Sequence, residues 1–148
     1  MGISRTILHR KTPAGIRCRG KRGGCMEMTE LRYMVLNLCQ IYDVIRSASV
    51  ARLAVTDGTR PYVTPMRFQW ELDGQTSIFH FACTAHGRRF DCLTEYPHAM
   101  VEIERRTADG TEVVLAEGAA VMLFSPEDDA ALVQVIAERV TGRRYFHG

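Results

Sequence analysis

The residues best suited to chemistry stand together in Ile78-Phe79-His80-Phe81-Ala82-Cys83-Thr84-Ala85-His86-Gly87-Arg88-Arg89-Phe90-Asp91. An apolar run of strand character passes there through a short loop into a helix whose first turn carries two arginines. The first backbone N–H groups of a helix have no partner inside it, and its dipole puts partial positive charge at the same end. Two guanidinium groups added to that end suit an anion, above all a phosphate monoester with close to two negative charges. Cys83 and Thr84, at the strand end, are placed to add contacts. On its own an Arg-Arg pair at a helix start is more often simply solvated, so these residues alone define only an anion site.

His86 is the histidine nearest that site, whereas His80 alternates with Phe79 and Phe81 and is expected on the other side of the strand. Trp70, the only tryptophan, reads as a packed hairpin aromatic. Other chemistries lack their patterns: there is no Gly-x-Gly-x-x-Gly, no Gly-Lys-Ser/Thr phosphate loop, no Gly-x-Ser-x-Gly and no His-Glu-x-x-His. Glu102 and Glu104 share a strand face, as any half-exposed strand allows, and do not make a carboxylate pair. Cys18, Cys25, Cys39, Cys83 and Cys92 are odd in number, irregularly spaced and without a Cys-x-x-Cys pair. Free thiols are expected, with neither a disulfide framework nor a metal site.

The elements that must position this segment follow from periodicity. Leu31, Met34, Val35, Leu38, Ile41, Tyr42 and Ile45 recur at three and four, predicting a helix from Thr29 as N-cap to about Ser47. The period then shortens. Val50 to Val55, Tyr62 to Trp70 and Ser77 to Cys83, separated by Asp57-Gly58 and Asp73-Gly74, predict three antiparallel strands in a meander. A short helix follows from Gly87 to Tyr96, stopped by Pro97. Ala99 to Glu104 and Glu112 to Phe124 predict two more strands across Asp109-Gly110, with Gly118 marking a bulge or bend. Ser125-Pro126-Glu127-Asp128 reads as a helix start and Gly142 as its stop. Strands joined by Asp-Gly turns favour a mainly β fold with flanking helices, an antiparallel barrel in preference to a doubly wound parallel sheet.

With 148 residues, 46% of them hydrophobic, the chain has material for one core. No apolar run is long enough for a membrane-spanning helix, and the N-terminus lacks the apolar stretch of a signal peptide, so a cytoplasmic location is expected. Residues 1–26 carry seven basic side chains (Arg5, Arg10, Lys11, Arg17, Arg19, Lys21, Arg22) and no acidic ones, within a net charge of +2. Their aperiodic Gly, Arg, Pro and Cys predict a disordered leader preceding a domain over 27–148. That domain is net acidic, which argues against nucleic acid as its partner.

Several blocks, taken in order, resemble one family: Ala51-Arg52-Leu53-Ala54, Pro61-Tyr62-Val63-Thr64-Pro65-Met66, Phe79-His80-Phe81, Gly87-Arg88-Arg89-Phe90-Asp91-Cys92-Leu93, Pro97, Val101-Glu102-Ile103 and Thr141-Gly142-Arg143. Together they are similar to the FMN-binding split-barrel proteins of the pyridoxamine 5'-phosphate oxidase-like superfamily, especially the nitroimidazole-resistance branch. The resemblance covers about residues 30–142. It implies an antiparallel split β-barrel and FMN at a homodimer interface, with a small-molecule substrate and the partner subunit completing the site. The backbone of Val63, Thr64, Pro65 and Met66 would run along the isoalloxazine ring. Cys83 and Thr84 would approach the ribityl chain or phosphate, and Arg88 and Arg89 would bind the phosphate.

The implied activity is an FMN-dependent oxidoreductase, nitroreductase-like or related; the alternative is a non-catalytic flavin- or haem-binding storage or sensing protein. The family carries over no catalytic residue here. Ala82 and Cys83 stand where many relatives have histidine and serine, and the C-terminal tryptophan and arginine motifs of true pyridoxamine-phosphate oxidases have no counterpart. Because the last segment reads as a helix, either a final strand is missing or the barrel closes differently.

Overall fold

A computed structural model describes residues 32–147. The expected leader, Thr29 and Leu31 lie outside the described residues. Ten elements follow in the order β1 (Tyr33–Val35), α1 (Leu38–Ser47), β2 (Val50–Thr56), β3 (Pro61–Arg67), β4 (Gln69–Asp73), β5 (Thr76–Thr84), α2 (Arg88–Glu95), β6 (His98–Arg106), β7 (Gly110–Ser125) and β8 (Ala130–Phe146). All pairing is antiparallel, with strand order β3-β2-β6-β7-β8-β5-β4 and β1 added to β8. The mainly β class with flanking helices is confirmed.

The sheet is split rather than closed. β3 and β4 end the strand order on opposite sides, yet only Phe68 separates them in the chain. The sheet must therefore curl until its two edges meet near that residue. The Phe68 ring lies in the interior, 6.0 Å from Phe79 and 6.3 Å from Phe81 between ring centres. The expected three-strand meander needs correction here. Its two hairpins form, β2 with β3 and β4 with β5, but the middle run breaks at Phe68 and its halves go to opposite edges.

Two helix predictions also change. Residues 33–35 pair with 143–145 as a strand, and α1 starts only at Leu38. Asn37 resets the chain: its side-chain oxygen accepts the Gln40 N–H at 2.9 Å, and the Gln40 side chain accepts the Asn37 N–H at 2.9 Å. This reciprocal capping box makes a stronger start than the periodicity further upstream. The larger correction concerns residues 125–142. Ser125-Pro126-Glu127-Asp128 opens a turn, Asp129 adopts φ 48°, and the chain returns as β8, a strand of 17 residues. Proline followed by acidic residues serves a β-turn as well as a helix start. The segment expected as the last helix is a strand of the sheet, and of the two alternatives it is the closure of the barrel that differs from expectation.

Alternation places the core. Leu53 and Val55, Val101 and Ile103, Val114 and Ala116, Val133 and Val135, and Phe79 and Phe81 all point inward and are buried. Ile41, Val44 and Ile45 of α1 complete the core on one side, Cys92 and Leu93 of α2 on the other. Gly118 marks an irregularity as expected. Glu117 pairs with Arg139 and Gly118 with Ala137, so Glu138 is an extra residue on β8. A Cβ at Gly118 would lie 1.9 Å from the Ile136 carbonyl oxygen, so only glycine fits there.

One buried charge crosses three strands. Glu112 is 1% exposed and lies opposite Arg105 of β6 and Arg144 of β8. Arg105 donates to Oε2 at 2.8 and 2.6 Å, and Arg144 donates to Oε1 from Nε at 3.0 Å and also from Nη2. Arg105 also reaches the Asp43 carbonyl of α1 at 3.3 Å. Burial pushes the Glu112 carboxyl up, but the hydrogen bonds from Arg144 and Arg105 outweigh it and hold the group below its ordinary value. A depressed folded-state value stabilises above the unfolded value and is lost as pH falls through the folded one. Glu112→Ala is expected to cost about 3–5 kcal/mol in denaturant unfolding, since it strands two guanidinium groups. As pH falls below roughly 4.3, the native protein should lose stability more steeply than Glu112→Gln, and parallel losses in the two would contradict this account.

Candidate functional site

β3 and α2 come together at the mouth of the barrel. Thr64 lies opposite Leu53 and Tyr62 opposite Val55, so both side chains are on the inner face of β3, toward α2. Arg89 donates from Nε (3.2 Å) and Nη2 (3.0 Å) to the Thr64 hydroxyl. The Arg88 guanidinium carbon sits 4.7 Å from the centre of the Tyr62 ring, a cation–π contact. Two residues proposed from the sequence for separate parts of one site, Thr64 and Arg89, are therefore hydrogen-bonded. Tyr62 is a partner that sequence reasoning did not single out.

The other proposed residues are distributed by alternation. Val63 and Pro65 point to the outer face of β3, while Met66 packs inward against the core. Cys83 continues the inward set of Phe79 and Phe81 and packs against the core. Thr84 turns the other way, and its hydroxyl donates to the His86 carbonyl at 3.1 Å. Cys83 and Thr84 thus face opposite sides of β5. His80 lies on the face opposite Phe79 and Phe81, between Glu71 (3.2 Å) and Gln134 (3.4 Å).

The loop entering α2 is shaped by Gly87 and held by Asp129. Gly87 is the N-cap, with φ 96° and ψ 177°, and no side chain caps the helix. Only glycine occupies that region of backbone space readily. Nothing lies within 4 Å of a Cβ placed there, so the need for glycine is one of backbone conformation and not of crowding. Asp129, at the tip of the β7–β8 turn, accepts the Ala85 N–H on its carbonyl at 3.3 Å, and its carboxylate meets His86 Nδ1 at 2.7 Å. Read as part of a helix, Asp129 gave no sign of this role. At the other end of α2, the Tyr96 ring packs against Gly58 in the β2–β3 turn. In that turn the Arg60 and then the Thr59 N–H groups hold the Asp57 carboxyl below its ordinary value, with a smaller contribution from the charge of Arg88.

The result is a helix N-terminus with two arginines beside an edge strand. Arg89 uses two of its five N–H groups on Thr64, leaving the rest for an anion. A phosphate monoester fits this donor set. β3 ends the sheet, so part of its backbone hydrogen-bonding capacity faces outward and suits the polar edge of a flat ring. Among the described residues no group of three His, Cys, Asp or Glu side chains could hold a metal ion, and Cys39, Cys83 and Cys92 are free. None of the described helices is long and apolar enough to cross a membrane.

Comparison with known proteins adds a family to this geometry. A sequence model of the family described as pyridoxamine 5'-phosphate oxidase matches residues 39–147. Among solved structures, an FAD-binding protein from Mesorhizobium loti has a TM-score of 0.64 at 16% identity, over 75% of this chain and 96% of its own. A candidate 5-nitroimidazole antibiotic resistance protein from Bacteroides thetaiotaomicron has a TM-score of 0.66 at 13% identity, over 98% and 96%. A haem-binding protein from Mycobacterium smegmatis has a TM-score of 0.56 at 16% identity, over 74% and 53%. No curated protein matches in sequence. At such identities the likeness establishes the fold.

Gly87→Ala forces a Cβ into the unfavourable region and is expected to destabilise the protein by about 1–3 kcal/mol. Hydrogen exchange should localise the loss to the loop at 84–87 and the first turn of α2. An unchanged exchange pattern there would mean that the loop does not need this backbone conformation.

Proposed function

The chain belongs to the pyridoxamine 5'-phosphate oxidase family, and from that premise we propose that it is an FMN-binding oxidoreductase acting on a small molecule, nitroreductase-like or related. The observation that carries the reading is the Arg89–Thr64 hydrogen bond, which joins the anion-binding end of α2 to the edge strand β3. Arg88 and Arg89, with the free N–H groups behind Gly87, would hold the phosphate. The backbone from Val63 to Met66 would line the ring, and Cys83 or Thr84 would meet the chain between, according to the face the cofactor takes. FMN, when bound, supplies the electron or hydride transfer.

What this chain contributes is position, charge and shelter. Thr64 orients the Arg89 fork, and the Tyr62 ring supports Arg88 from beneath. Asp129 fixes the loop that presents both arginines. We assign a homodimer to the working form, the partner subunit completing the site. Val63 and Leu123, 53% and 57% exposed, belong to an outer sheet face that neither of the described helices covers.

Titration of the protein with FMN and with riboflavin tests this. FMN is expected to bind more tightly than riboflavin, which lacks the phosphate. Replacing Arg88 and Arg89 by alanine together should weaken FMN by several kcal/mol, since charge-assisted contacts contribute about 1.5–3 kcal/mol each, and leave riboflavin nearly unchanged. Equal losses for both ligands would place the phosphate elsewhere. Bound FMN that no nicotinamide donor reduces would assign storage instead of catalysis, and uptake of haemin in its place would assign a haem carrier.

A further inference from the structure

Beside the two arginines lies a titratable pair whose charge bears on them. His86 Nδ1 meets the Asp129 carboxylate at 2.7 Å, the two side chains being 69% and 55% exposed. The backbone braces this contact: the Ala85 N–H donates to the Asp129 carbonyl at 3.3 Å, and the Thr84 hydroxyl donates to the His86 carbonyl at 3.1 Å. Asp129 is the one non-glycine residue with positive φ among the described residues, at 48°. The turn thus commits its carboxylate to the loop. Only Gly87 separates His86 from Arg88, so their Cα atoms lie at most about 7.6 Å apart, two links of chain. That is within the roughly 8–10 Å over which exposed charges act at ordinary ionic strength.

The surroundings are more acidic than a phosphate site needs. The first turn of α2 carries Arg88, Arg89 and Asp91, and the β7–β8 turn carries Glu127, Asp128 and Asp129. Across the mouth, Asp57 of the β2–β3 turn interacts with Arg88. Two guanidinium groups therefore stand among five carboxylates, and of these carboxylates Asp129 is the one tied to the loop itself. Cys83, the remaining titratable side chain of the loop, packs inward against the core. Between about pH 5.5 and 8, carboxylates and guanidinium groups ordinarily keep their charges, whereas imidazole ordinarily changes its own. The hydrogen bond does not depend on that change. With a hydrogen on Nδ1, the neutral ring donates to Asp129 as the cation does, and Nε2, without a partner among the described residues, takes or releases the proton. The pair stays closed while its charge passes from zero to minus one.

We propose that the His86–Asp129 pair gates the anion site by charge. With His86 protonated the pair is neutral and the arginines hold a phosphate; with His86 neutral the pair carries one negative charge and opposes it. The gate rests on the reading of Gly87, Arg88 and Arg89 as the FMN phosphate site, and adds to it a pH range in which the cofactor is held and one in which it is released. By linkage, a bound dianion favours the imidazolium, so FMN binding takes up a proton at His86. His86 is a positioning residue here, acting through the charge it cancels.

Sulfate is the probe, because it keeps two negative charges across this range and a phosphate monoester does not. Binding is read from the amide NMR signals of Gly87, Arg88 and Arg89 at low ionic strength, at about pH 5.5 and about pH 8. The native affinity is expected to fall about fivefold from the lower pH to the higher. His86→Gln, neutral but still able to donate to Asp129, should show the weak affinity at both. Asp129→Asn, which tolerates the left-handed backbone, should bind sulfate at the higher pH about as tightly as native protein does at the lower. A purely structural pair predicts the reverse, since its loss would loosen the loop and weaken sulfate at every pH. Parallel pH profiles for native protein and His86→Gln, or Asp129→Asn weaker than native protein at the higher pH, would overturn the gate. Repeating the series with FMN, against riboflavin as the uncharged reference, separates the two claims. FMN binding with the same pH profile in native protein and His86→Gln overturns the gate alone. A sulfate site that follows His86 in protein that takes no FMN overturns the flavin reading and leaves the gate standing. Sulfate that leaves these amides unmoved, in protein that takes no FMN, overturns both.

Discussion

The β7–β8 hairpin is the constraint on which the other elements depend. Its strands of 16 and 17 residues pair from Ser125 and Ala130 at the turn to Gly110 and Phe146 at the open end. β7 offers its second edge to β6, and β8 offers its own first to β5 and then to β1. A single hairpin thus sets the register of both halves of the sheet. Glu112 anchors it internally, since its two carboxylate oxygens bind arginines from the strands on either side. A buried carboxylate cannot be left half-satisfied, so the three strands keep one register.

The same hairpin reaches the mouth of the barrel, where α2 meets β3. Its turn carries Asp129, which holds the β5–α2 loop through Ala85 and His86. That loop presents Gly87 and the two arginines to β3. β3 arrives from elsewhere and, among the described residues, pairs only with β2. Side-chain contacts join what the sheet leaves apart: Arg89 on Thr64, Arg88 on Tyr62, and Tyr96 on Gly58. The two arginines and the open edge are adjacent because the first turn of α2 is tied to Tyr62 and Thr64 of β3, while Tyr96 meets the β2–β3 turn.

Alternation and turn chemistry made much of this legible. The inward sets of β2, β5, β6 and β7, the short helix after Gly87 and the irregularity at Gly118 all follow from local periodicity and from residues whose backbone requirements are unusual. Residues 125–142 were not legible in the same way. Ala, Leu, Gln, Glu and Arg in that stretch favour a helix, and Ser-Pro-Glu-Asp supports one locally. Pairing with β7 and β5 overrides the preference, because a strand there buries Ala131, Val133 and Val135 against the core. The helix expected from Thr29 fails for a related reason: spacing at three and four continues upstream of Asn37, but β8 offers residues 33–35 an edge to pair with.

From the amino-acid sequence alone came the class of the fold, the short helix that opens on Gly87-Arg88-Arg89, and the resemblance that points to a flavin. These depend on short stretches of chain, where a glycine, a pair of arginines or a period of two has the same physical meaning in any surroundings. Tertiary structure alone decided that Thr64 meets Arg89 and that Cys83 and Thr84 face opposite ways. It also decided that Asp129 supports the loop and that the chain supplies its own last strand. Those outcomes depend on residues far apart in sequence finding one register, and a propensity within one segment carries no information about its partner.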